Sequence, residues 1–233
     1  MRATRRSHST RSRSTKAPAA GMPSPQRAAS ITALWDDIQR CTRCTLYRNA
    51  TQGVGGEGSA PASVMLVGEQ PGDREDLAGR PFVGPAGQIL DKALADAAIK
   101  RTEVFVTNAV KHFKNEPRGK RRLHKRPNTY EVDRCRWWLD KEIAIVRPRV
   151  VVALGATAAR AMLGRTVSIN REREAIHELA HGARLVITIH PSYVLRLRDE
   201  ATRRAAYDQL VAALSRARSA AGLAAAGTAR EAA

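Results

Sequence analysis

The sequence predicts an α/β fold: a three-layer α/β/α sandwich around a central, mainly parallel four-stranded sheet. Three observations predict it. Four short apolar runs, at 63–67, 103–107, 149–154 and 184–189, are spaced along the chain. Segments with helical periodicity separate them, and each run stops at a Gly, Asn or His. Strands that alternate with helices form parallel sheets covered on both faces, and such strands read as unbroken apolar runs rather than alternating ones.

Each element has a local reason. Ser30 can cap a helix whose apolar side is Ile31, Leu34, Trp35 and Ile38. That helix runs into Cys41-Thr42-Arg43-Cys44, and a Gly-rich loop follows at 53–60. The first strand ends at Gly68, before a helix from about 85 to 98 with Leu90, Leu94 and Ala97 on one side. The second strand ends at Asn108 and opens into a basic loop. Asn128 and Glu131 have capping-box spacing for a helix over 129–146, which Pro148 ends. The third strand is closed by Gly155 and an Ala-rich helix, and the fourth by His190. A last helix over 199–218 buries Tyr207, Leu210, Val211 and Leu214. This divides the chain into a disordered basic tail (1–28), one folded domain (29–218) and an Ala-rich tail (219–233).

The formal net charge is +18 and the pI is near 11.0 over 233 residues. Seven of those charges lie in residues 1–28, which hold no Asp or Glu, so eleven belong to the remainder. An excess of that size in the folded part favours an anionic polymer, most simply nucleic acid, as partner. No run is long and apolar enough to span a membrane. The N-terminus lacks the apolar core of a secretory signal, and three Cys make a disulfide framework a poor fit. A reducing cytoplasm and a monomer are the expectation.

Parallel sheets place ligands at the carboxyl ends of their strands. Gly68-Glu69-Gln70, Asn108 and His190 fall at three such ends. Gly53-Val54-Gly55-Gly56-Glu57-Gly58 spells a dinucleotide fingerprint, but it precedes a strand instead of following one, so a flexible or DNA-contacting turn is expected there. Cys41, Cys44 and Cys135 can be buried thiols or include a redox pair; with the His112 imidazole they can also hold zinc or an iron–sulfur cluster. Phe82 can belong to the core or stack on a base, and the Asn108 amide suits the edge of a pyrimidine. Lys120, Arg121 and Arg122 of the basic loop, with Ser192 and Arg196 beyond His190, can take phosphates. His124 stands inside that basic loop.

Gly68-Glu69-Gln70-Pro71-Gly72, Glu75-Asp76, Gly79-Arg80-Pro81-Phe82-Val83-Gly84, Asn108-Ala109-Val110-Lys111, Cys135 and His190-Pro191-Ser192 together resemble the uracil-DNA glycosylase superfamily. The likeness is greatest to its iron–sulfur branch and covers roughly residues 30–215. His112 stands where ordinary members of that branch have a Cys. An extra basic segment, 118–124, precedes the last Cys. Both features, and Gln70, resemble the UdgX group, whose members excise uracil and become covalently joined to the DNA.

The resemblance implies a [4Fe–4S] cluster on Cys41, Cys44, His112 and Cys135, and uracil-containing DNA as partner. It implies a uracil pocket of Gln70, Phe82 and Asn108. His124 is the implied nucleophile, with Glu69 and His190 as its catalytic partners. The surrounding cations are expected to lower the pKa of His124 and keep it neutral, with Glu69 as acceptor of its proton.

Overall fold

The computed structural model describes residues 30–119 and 121–223; the expected basic tail, most of the Ala-rich tail and Lys120 lie outside the described residues. In chain order the elements are α1 (Ile31–Gln39), β1 (Glu57–Gly58), β2 (Val64–Gly68), α2 (Asp73–Ala78), α3 (Pro85–Asp96), β3 (Val104–Asn108), β4 (Asn115–Arg118), β5 (Arg121–His124), α4 (Thr129–Val146), β6 (Val150–Leu154), α5 (Ala156–Leu163), α6 (Ile169–Glu172), β7 (Ile176–Glu178), β8 (Arg184–Thr188), α7 (Pro191–Arg196) and α8 (Glu200–Ala221). The central sheet runs β1-β3-β2-β6-β8-β7.

The four expected strands form its parallel centre, and every residue of β2, β3 and β6 is buried. The sheet has six strands, not four. The added β1 and β7 are antiparallel edges of two and three residues. Runs that short carry no readable period, and only their partners make them strands.

Side chains alternate across the sheet. Met65 and Val67 face a core with Leu34, Trp138 and Ala158, from α1, α4 and α5. Val64 and Leu66 face a second core with Leu90, Val194 and Leu210, from α3, α7 and α8. These two cores are the outer seams of a three-layer sandwich.

The caps hold as their chemistry requires. Ser30 accepts from the Ala33 amide at 3.2 Å. Asn128 Oδ1 accepts from the Glu131 amide at 2.9 Å, while Glu131 Oε2 accepts from the Asn128 amide at 2.7 Å. The last helix continues to Ala221, so the start of the Ala-rich tail is helical.

Two expected loops are structured. The segment from Gly53 to Gly56 is buried, not a mobile or DNA-contacting turn. A Cβ on Gly55 would stand 2.3 Å from the Trp35 ring, and the Gly56 amide donates to Glu142 Oε1 at 2.8 Å. The glycines there allow close packing. The basic loop is a hairpin in which β4 and β5 pair, with Asn115 opposite His124.

Register fixes where the functional ends meet. Gly68 pairs with Asn108, and Leu154 pairs with Thr188. The carboxyl ends of β2, β3, β6 and β8 therefore finish on one edge of the sheet.

Candidate active site

That edge opens into one cavity of about 1530 Å³, whose walls include Glu69, Gln70, Phe82, Asn108, His124, His190, Ser192 and Arg196. Eight residues singled out from sequence are thus brought together. Arg121 is exposed on the hairpin. Arg122 turns away from the cavity toward Asp73 (2.7 Å) and Asp76 (2.5 Å), which fastens the hairpin to α2.

Gly68 makes room for two side chains of the cavity wall. A Cβ there would lie 2.4 Å from Asn108 Oδ1 and 2.6 Å from Phe82 Cζ. Phe82 adopts φ +56°, a conformation that costs a bulky residue energy and recurs where function demands a set geometry. Glu75 holds the turn in shape by accepting from the Gly84 amide at 2.7 Å and the Gly72 amide at 3.1 Å. The Phe82 ring stacks on His190, with centroids 5.8 Å apart and planes 30° apart.

His190 is the N-cap of α7. Its Nδ1 accepts from the Ser192 amide at 3.2 Å and lies 2.8 Å from Ser192 Oγ. With Nδ1 an acceptor, the ring proton of the neutral imidazole is on Nε2. Burial lowers the pKa to about 4, helped by Arg196 and His124, so the ring is a neutral donor. Ser192, expected at a phosphate, spends both its donors on this ring and accepts from Arg196 Nη1 at 3.2 Å.

His124 ends β5 and meets a three-way clip. Gln70 Oε1 accepts from the Lys114 amide at 3.0 Å, and Gln70 Nε2 donates to the Lys125 carbonyl at 2.9 Å. Those two backbone partners decide which way the amide faces. The same Nε2 lies 2.8 Å from His124 Nε2. It can only donate there, so His124 Nε2 carries a lone pair and the ring proton is on Nδ1. The Gln70 side chain is the clasp that seats the hairpin, and the residue lines the cavity.

The His124 side chain is 51% exposed, and its Nε2 lies 3.9 Å from Glu69 Oε1. Its pKa is lowered chiefly by burial and also by Arg196, with Glu69 opposing. The direction is the expected one, but the cause differs: partial burial leads, and the one cation that contributes comes from α7. The expected proton transfer to Glu69 is also corrected, because the nitrogen that Glu69 faces bears no proton.

The three cysteines gather on the α1–α4 side of the sheet, in one core. The Trp138 indole donates to Cys41 Sγ at 3.0 Å, and the Lys111 amide donates to Cys135 Sγ at 3.1 Å. Burial pushes the Cys135 thiol up to about 12, against the pull of Lys111 and with a further push from Cys41 and Cys44. Burial also raises Cys44. His112 is buried, its pKa lowered by burial to about 4, and Asp76 is the charged group it senses. Among the described residues, no three His, Cys, Asp or Glu side chains are grouped as ligands of a single metal ion.

Sequence reasoning missed Glu142, Thr157 and Arg126, and gave Asp76 no role of its own. Glu142 had a signal: it lies in the buried stripe of α4 with Cys135, Trp138, Leu139 and Val146, where an acid needs a partner. Its partner is Lys111 at 2.7 Å, with both side chains fully buried.

Comparison with known proteins agrees with this geometry. The family model described as the uracil DNA glycosylase superfamily matches residues 56–215. A Type-4 uracil-DNA glycosylase of Thermotoga maritima is 38% identical over 179 residues, 76% of this chain and 90% of that protein. A Type-4 uracil-DNA glycosylase of Pyrobaculum aerophilum is 38% identical over 169 residues, 68% of this chain and 81% of that protein. A Type-5 uracil-DNA glycosylase from the same organism is 35% identical over 153 residues, 58% of this chain and 63% of that protein. With the strand-end cavity and the matched span in agreement, the chain belongs to the uracil-DNA glycosylase superfamily.

Proposed function

We propose that this protein is a UdgX-type uracil-DNA glycosylase that acts in DNA repair, prefers single-stranded substrate, and ends its single turnover joined to the DNA through His124. The observation that carries this reading is the position of His124 Nε2 in the cavity wall, 2.8 Å from Gln70 Nε2 and 3.9 Å from Glu69 Oε1.

Uracil must leave the base stack to enter such a cavity. Asn108 would pair with its polar edge and Phe82 would lie against its face. A polar site shaped for uracil leaves groups unpaired when cytosine enters. As the bond from C1′ to uracil N1 breaks, its electron pair leaves with uracil. His190, donating from Nε2–H to a uracil carbonyl, stabilises that anion by ~3 kcal/mol if it acts as a typical oxyanion donor. The carboxylate of Glu69 stabilises the positive sugar. His124 Nε2 then gives up its hydrogen bond from Gln70 Nε2, and the freed lone pair forms the new bond to C1′. The Nδ1 proton stays on the resulting imidazolium or passes to water, and uracil takes its proton from solvent.

The donor set on the α1–α4 side fits a [4Fe–4S] cluster. The sulfurs of Cys41 and Cys135 are buried and accept N–H bonds, as cluster sulfurs do, and Cys44 is half-buried against the same core. Cys41, Cys44, Cys135 and His112, the last a neutral imidazole, would hold it. Bound there, it would tie the segment after α1 to α4 and to the segment leading to the hairpin.

The adduct should follow His124 protonation. Because its pKa is lowered from 6.5, neutral imidazole persists to lower pH than in a free histidine. The midpoint of adduct loss on acidification is therefore expected below pH 6.5. Uracil release falls later, as His190 takes a proton near pH 4 and loses its bonds from Ser192. Rate profiles of the two products check this; a loss of adduct centred above pH 6.5 contradicts it.

The direct test is a denaturing gel after incubation with uracil-containing single-stranded DNA. A band that survives heat and detergent supports the proposal. Free abasic product with repeated turnover supports a conventional glycosylase of the same fold, the reading favoured by the names of the similar Type-4 and Type-5 proteins.

A further inference from the structure

The wall of the cavity formed by the start of α5 carries Thr157, whose side chain is buried. Its hydroxyl donates to Glu69 Oε2 at 2.5 Å. Arg126 Nε donates to the same hydroxyl oxygen at 3.3 Å. The polarity of this chain has one solution. A guanidinium has no acceptor, so the Thr157 oxygen receives from Arg126. A hydroxyl has one proton, and it is directed at Glu69. Oε2 is therefore occupied as an acceptor, and Oε1 is the oxygen left facing His124 Nε2 at 3.9 Å.

We propose that Thr157 is the positioning residue for Glu69: it reserves Oε2 and turns Oε1 toward the space beside His124 where the sugar carbon must sit. A β-branched side chain has few χ1 choices, so a buried threonine holds this oxygen in one place. Arg126 alone does not replace it. Arg126 Nε stands 3.8 Å from Glu69 Oε2, and its side chain is 69% exposed. The inference rests on the role given above to Glu69, and it holds whether the sugar is captured by His124 or by water.

The test is the single-turnover rate of uracil release from a uracil-containing single-stranded oligonucleotide, with enzyme in excess. Thr157→Val removes the hydroxyl and keeps the shape. Its rate is expected to fall roughly 10- to 100-fold, the effect of misplacing a reacting group by a fraction of an ångström to one ångström. Affinity for the same oligonucleotide carrying a non-cleavable 2′-fluoro-deoxyuridine stays unchanged. Thr157→Ser is expected to restore the rate to within about threefold, a small part of that misplacement effect. Thr157→Ala serves as the hydroxyl-free variant if the valine protein does not fold. A hydroxyl-free variant as fast as the parent overturns the proposal, and so does a serine variant as slow as the valine one. Glu69→Gln separates the two levels. If it releases uracil at the parental rate, the role of Glu69 fails and this proposal falls with it. If it is slow while Thr157→Val is fast, only the assignment of Thr157 fails.

Discussion

His124→Ala is expected to abolish the heat-stable protein–DNA band while uracil release continues, now with free abasic DNA as product. The reason lies in how little else the substitution disturbs. The hairpin that carries His124 is held by Gln70 through the Lys114 amide and the Lys125 carbonyl, and by Arg122 through Asp73 and Asp76. None of those contacts uses the imidazole, whose own bond in the clip, from Gln70 Nε2, is the one that is lost. The groups assigned to bond breaking, Glu69, Asn108 and His190, belong to other strand ends. Removing the ring leaves space beside Glu69 for water, and the sugar cation is hydrolysed instead of captured. The adduct on a denaturing gel and released uracil, measured on the same samples, check the split. Adduct at the parental level would show that a different side chain is the nucleophile.

Glu142→Ala is expected to have the largest effect on stability. Lys111 and Glu142 are both fully buried and 2.7 Å apart. Glu142 also accepts from Thr107 Oγ1 and from the Gly56 amide, each at 2.8 Å, and Lys111 Nζ donates to the Asn108 carbonyl at 2.7 Å. Alanine leaves an ammonium group in the core with no counter-charge, at a cost of about 3–5 kcal/mol. In a domain of this size that lowers Tm by on the order of 10 °C. Thermal unfolding followed by circular dichroism measures it. A double replacement, Lys111→Met with Glu142→Leu, should recover much of the loss, because a buried pair replaced by apolar groups is often neutral. A loss under about 1 kcal/mol for Glu142→Ala, the level of an exposed pair, would contradict the account of the core.

The parts of the fold that were legible before any coordinates are those with local causes. Val64–Gly68, Val104–Asn108 and Val150–Leu154 are buried on both faces, so burial wrote itself into the chain as unbroken apolar runs. Ser30 and Asn128 cap helices through atoms three residues away. The edge strands β1 and β7 were not legible, since two or three residues carry no period and their pairing comes from β3 and β8.

The site divides in the same way. Glu69, Asn108 and His190 were placed together because strand ends in a parallel sheet converge. Gln70 was read as a base contact. Its side-chain partners, Lys114, His124 and Lys125, lie 44 to 55 residues away and are brought near by the hairpin. Thr157 offers no pattern of its own, and only the packing of α5 beside β2 gives it Glu69. Long-range hydrogen bonds of this kind determine tautomers and orientations, and no local spacing encodes them.

The most direct test of the central claim is tandem mass spectrometry of the protein digested with protease and nuclease after reaction with uracil-containing single-stranded DNA. The account predicts one modified peptide spanning the β4–β5 hairpin, heavier by a deoxyribose-bearing nucleotide fragment without uracil, with the fragment ions placing the added mass on His124. Unmodified hairpin peptides alongside complete uracil release, or the added mass on any other side chain, would contradict it.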